Sequence, residues 1–141
     1  MKNPLELFGY LVKSGEVREV VALEIDGQCP ARDYLIDLAA HNPKGWQILS
    51  SQIRLSADVP RLQTRDTFKL LDPSRQLYEF RTRSGLRLYC FLNEDQLILL
   101  TNGGKKNTVR EQNRDIEKAR TICDEFISRV ASGAVLTIIE P

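Results

Sequence analysis

Between residues 77 and 106 the chain carries Arg81, Arg83, Arg87, Lys105 and Lys106 within a run that otherwise reads as apolar strand. Strand interiors seldom hold arginine without a partner for it. The planar guanidinium fork gives a phosphate two parallel, permanently charged hydrogen bonds. Attack of a 2′-hydroxyl on its neighbouring phosphate needs such donors, a base for the hydroxyl and a proton for the leaving 5′-oxygen. Arg81, Arg87, Lys105 and Lys106 together could neutralise the charge that grows in that transition state. This chemistry requires no metal. One histidine and three dispersed cysteines, none in C-x-x-C spacing, fall short of the usual zinc ligand count, so no metal or cofactor is expected.

The acid and base are less sharply marked. His41 is the only side chain with an ordinary pKa near neutrality, but its place before Asn42–Pro43 reads as a solvated turn. Glu79 is a candidate base; beside Arg81 and Arg83 it would stay ionised, which favours ion pairing. Tyr89 could donate to a phosphate or stack on a base, and equally reads as core. For the cations the competing readings are surface arginines paired with Glu79 and a solvated lysine turn. Gly103–Gly104 lacks the further glycines of a phosphate-cradling loop.

These 141 residues suit one domain with one core. Hydrophobic side chains make up 42% and charged ones 28%, as in an ordinary globular protein. Net charge is +1, yet residues 61–120 hold 13 basic against 8 acidic side chains, while both flanking segments are acidic. Local sign matters more than the total for docking a polyanion. Cys29, Cys90 and Cys123 read as reduced thiols. No apolar run reaches the roughly 18 residues that cross a bilayer, and the N-terminus does not read as a signal peptide. A cytoplasmic location, with no membrane contact, is expected.

The elements that must position the cations follow from periodicity. Leu5, Phe8, Leu11 and Val12 predict an extra N-terminal helix over 3–14, started by Asn3–Pro4. Residues 18–26 alternate as a strand, and Pro30 and Pro43 open two helices forming a hairpin over 30–55. Strands are predicted over 67–71, 77–83, 86–92 and 96–101, then a helix from Val109 under the capping box Thr108-x-x-Glu111. The apolar tail 133–141 could add one strand. The class is α+β, an antiparallel meander packed against a helical hairpin and a C-terminal helix.

Register decides which cations meet. A two-residue Ser84–Gly85 turn would set Arg81 and Arg87 on opposite faces. A longer loop including Leu86 would pair Arg83 with Arg87 and Arg81 with Tyr89, all on one face. The apolar pattern of Leu88, Cys90 and Leu92 favours the longer loop.

The run LYEFRTRSGLRLYCFL, then LILLTNGGKKN, then a helix with RDIEKARTICDEF resembles the RelE/ParE toxin superfamily, nearest its HigB-like, phage-derived branch. The likeness spans about residues 17–127 and rests on Glu79 and Arg81, Arg87, Ile98 to Leu100, and Lys105–Lys106 in order. It implies a RelE-like fold and an endoribonuclease that cleaves mRNA on the ribosome, held inactive by a co-encoded helix-turn-helix antitoxin. Members of the ParE arm inhibit DNA gyrase instead; an inactive, antitoxin-binding module is the further alternative. On the ribonuclease reading Arg81, Arg87, Lys105, Lys106 and Tyr89 are catalytic, and Arg83, Lys69 and Arg110 bind RNA. A homo-oligomer is compatible with the sequence.

Overall fold

The computed structural model describes residues 5–94, 96–105 and 108–141; the Asn3–Pro4 helix start, Asp95 and Lys106 lie outside them. The described chain runs β1 (Glu6–Ser14), β2 (Glu19–Glu24), α1 (Pro30–His41), α2 (Pro43–Asp58), β3 (Phe68–Asp72), β4 (Leu77–Arg81), β5 (Leu86–Asn93), β6 (Leu97–Lys105), α3 (Val109–Ala131) and β7 (Val135–Ile139). The strands form one sheet in the order β3-β4-β5-β6-β2-β1-β7. The class is α+β, as expected, but the sheet is mixed. β3 to β6 are an antiparallel meander, whereas β2 lies parallel to β6 and β7 parallel to β1.

Helices cover both faces. Ala31, Leu35 and Leu38 of α1 and Leu49, Ile53 and Ala57 of α2 close one core over Val20, Phe80, Leu88, Cys90 and Leu100. Ala119, Cys123 and Phe126 of α3 close the other over Leu77, Tyr89, Phe91 and Leu99. Burying each large apolar side chain contributes about 1.5–3 kcal/mol. The Thr108 hydroxyl accepts from the Glu111 amide at 3.1 Å, which starts α3 where the capping box placed it. α2 runs three residues beyond the predicted hairpin, because the Ala57 carbonyl accepts from the Val17 and Arg18 amides. The Arg18 guanidinium closes that helix end through the Ser56, Val59 and Pro60 carbonyls.

The predicted N-terminal helix is instead strand β1. Leu7 and Leu11 face α3 while Tyr10 and Val12 face the hairpin, so both strand faces are apolar and imitate a helical stripe. Gly9 is the telling residue. A side chain there would meet Val21 Cγ1 at 2.2 Å, so β2 presses on bare backbone. β6 also outruns its predicted end at Thr101, continuing through Gly103–Gly104. A side chain on Gly103 would strike the Tyr34 ring, and one on Gly104 the Asp115 carboxylate. The glycine pair is a strand segment pinched between α1 and α3.

Candidate functional site

The β4–β5 hairpin takes neither predicted register. Arg81 stands directly opposite Arg87, and Glu79 opposite Tyr89. The Thr82 amide donates to the Leu86 carbonyl at 3.0 Å and the Gly85 amide to the Thr82 carbonyl at 3.1 Å, closing a three-residue loop. Gly85 takes φ +97°, which only glycine accepts without strain. The Thr82 side chain locks the loop by accepting from the Leu86 amide at 3.1 Å. The pairing slips by two residues from the expected one, so parity is kept and Arg81 and Arg87 share a face. That face is the one beneath α3.

Like charges directly opposite on neighbouring strands repel. The two arginines resolve this differently. Arg87 is 6% exposed, with Nη1 3.2 Å from Oε2 of Glu79, itself 1% exposed. Gln112 of α3 reaches the other Glu79 oxygen at 3.5 Å. Glu79 is therefore an ion-pair partner, and its partner is Arg87 rather than Arg81 or Arg83. Arg81 makes no ion pair among the described residues. Its Nε donates to the Asp66 carbonyl at 2.7 Å, and its own carbonyl accepts from Gln52.

The other expected residues divide. Arg83 is exposed in the loop and Arg110 exposed in the first turn of α3. Lys69 is exposed on β3, opposite Glu79. Lys105 is exposed at the end of β6, but it pairs with Leu86 and so belongs to the hairpin face, opposite Arg87. The single four-cation cluster is thus split by the sheet. Arg81, Arg83, Arg87 and Lys105 nevertheless gather at one end of it, where β4 and β6 finish and β5 begins. His41 is exposed, 3.1 Å from the Asp37 carboxylate, as the last residue of α1 rather than on the turn the sequence suggested.

Tyr89 is 0% exposed, and its hydroxyl lacks a hydrogen-bond partner among the described residues. Burial raises its pKa, and the nearby Glu79 and Asp115 charges raise it further. Tyr89 is core, covered by α3, and does not face solvent as a stacking platform.

Asp115 was not singled out in the sequence. Its carboxylate lies against Gly104, the residue opposite Arg87, and burial raises its pKa. Asn102, opposite Tyr89, donates to the Asp115 carbonyl at 3.0 Å. Gln112 and Asp115 prolong the stripe Ile116, Ala119, Cys123 toward the helix start. Polar residues on an otherwise apolar stripe were the signal that α3 covers a polar patch. The result is a polar layer, with Glu79, Arg87, Tyr89 and Asn102 buried and Gln112 and Asp115 half-buried over them, and a basic rim outside it. Neither models of known protein families nor curated proteins match this chain.

Proposed function

We propose that this chain is the toxin of a type II toxin–antitoxin pair, an endoribonuclease that cleaves mRNA on the ribosome by attack of a 2′-hydroxyl on the adjacent phosphate. The observation that carries the reading is the Arg81–Arg87 cross-strand pair at a sheet end that also holds Arg83 and Lys105. Glu79 offsets the charge of Arg87, which leaves Arg81 as the member of the pair with no carboxylate among the described residues and able to take a phosphate. From β2 to α3 the order of strand, helical hairpin, antiparallel meander and capped helix is the one the RelE-like resemblance expects, whereas β1 and β7 at the sheet edge lie outside that expectation.

In this mechanism Arg81 and Arg83 grip the scissile phosphate from solvent. Arg87, fixed by Glu79, adds positive potential from just below the surface. Lys105 and Lys106 hold the flanking backbone, with Arg110 and Lys69 further along the RNA. Tyr89 makes no substrate contact while α3 is docked. The cognate antitoxin, a helix-turn-helix protein, would silence the toxin by covering the rim.

One observation favours a second reading. The Glu79–Arg87 pair and Tyr89 lie under α3, which suits a non-catalytic module that only binds its antitoxin. Induced expression in bacteria, with mapping of mRNA 5′ ends, separates the two. Growth arrest with new 5′ ends inside reading frames, lost in Arg81→Ala, supports the ribonuclease. No arrest and intact transcripts support the inert module, and arrest with intact transcripts and broken DNA points to gyrase.

A further inference from the structure

The two edges of the sheet are built differently. β3, at one edge, carries exposed Lys69 and shifts register between Leu70 and Asp72. Charge and bulging are the devices by which natural sheets refuse further strands. β7, at the other edge, is Val-Leu-Thr-Ile-Ile, with no charge, no proline and no irregularity in its pairing with β1. Four of its five residues are β-branched, and Val135 and Ile139 are 68% and 38% exposed. Among the described residues no strand lies beyond it.

We propose that β7 is a homodimerisation edge: two copies pair antiparallel through Val135–Ile139 across a two-fold axis at Thr137. Backbone geometry fixes this register. The Val135 amide donates to the Leu5 carbonyl at 3.1 Å, so the amides of residues 135, 137 and 139 point inward to β1. Those of Leu136 and Ile138, with their carbonyls, point outward. With the axis at Thr137, Leu136 of one copy stands opposite Ile138 of the other and the two exchange both hydrogen bonds. The symmetry repeats the exchange, giving four bonds. Thr137 then faces Thr137 in the wider-spaced, side-chain-close type of pair, and Val135 faces Ile139.

Each cross-strand pair is apolar on apolar or threonine on threonine, and no charges are opposed. Leu136 and Ile138, half-buried against the α3 core, would meet their counterparts and carry that layer across the axis. The asymmetry of the edges also sets the copy number. A β7-to-β7 contact is isologous and closes at two. A β7-to-β3 contact would propagate as a fibre, and the guarded β3 edge opposes it.

Sedimentation of the full chain over a concentration series tests this. The expected species has twice the 16.1 kDa chain mass. Ile138→Pro removes an outward amide without touching the β1 ladder, and Thr137→Lys sets two like charges on the axis; both should sediment as monomers. Circular dichroism and the thermal midpoint verify that each variant is folded, and Thr137→Lys alone decides if the proline variant is not. A wild-type monomer at every concentration overturns the proposal, as does a dimer that Thr137→Lys leaves intact. A chain that stays monomeric alone, with β7 amides protected only on mixing with a second protein, assigns the edge to that partner instead.

Discussion

Two groups of arginine in this molecule are treated in opposite ways. Arg75, Arg120 and Arg129 each hold carboxylates and fasten α3 to the sheet. Arg75 bridges Asp124 at 2.8 Å and Asp72 at 2.7 Å; Arg120 reaches Asp72 at 3.2 Å and Glu117; Arg129 reaches Asp26 at 2.6 Å and Glu125 at 2.7 Å. Arg81, Arg83, Arg110, Lys69 and Lys105, by contrast, make no ion pair among the described residues. Arg87 belongs to neither group, buried like a structural residue and placed like a functional one. Arginine in a sequence therefore says little alone; its carboxylate partners separate scaffold from site.

The largest effect should come from breaking Arg87. Arg87→Ala leaves Glu79 charged and buried without a partner, and removing one member of such a pair costs about 3–5 kcal/mol. Urea unfolding should show that loss, and Arg87→Met with Glu79→Leu should recover most of it. Arg81→Ala should do the reverse: cleavage down about a hundred- to a thousand-fold, as for one lost transition-state donor, with the urea midpoint almost unchanged. If Arg81→Ala unfolds the protein, the contrast between the groups fails.

The paired group should titrate. Hydrogen bonds from Ser74 and Arg75 hold Asp72 well below the usual carboxylate range, and Arg75 also lowers Asp124. With folded pKa values below the unfolded one, their stabilisation is complete above about pH 4 and fades as pH falls further. Asp72→Asn should flatten the decline in urea midpoint between pH 5 and 2. Asp115 has the opposite sign, since burial raises its pKa and its ionised form opposes folding. Asp115→Asn should raise the thermal midpoint slightly at pH 7 and leave it unchanged near pH 3. Arg83→Ala, at an exposed loop residue, should leave stability within about 0.5 kcal/mol while weakening RNA binding at low salt.

Local signals carried much of the fold. Pro30, Pro43 and the Thr108–Glu111 box mark the starts of all three described helices, and Ser84–Gly85 marks the turn that aligns Arg81 with Arg87. Contacts distant in sequence defeated the rest. β1 hid because both of its faces are apolar, and the extension of β6 past Thr101 hid because glycines at 103 and 104 signal a loop until Tyr34 and Asp115 are seen pressing on them. The candidate site was legible as far as the shared face of Arg81 and Arg87. It was not legible in its burial, because a linear pattern does not say which sheet face α3 covers. Lys105 was misgrouped for a related reason: it sits one strand position past Gly104, and one position changes the face.

Mapping mRNA 5′ ends after induction of the wild-type chain and of Arg81→Ala tests the central claim most directly. The account predicts new ends within translated codons for the wild type and their loss in the variant, with both proteins folded and equally abundant. Intact transcripts under the wild-type chain, or cleavage that survives Arg81→Ala, would contradict it.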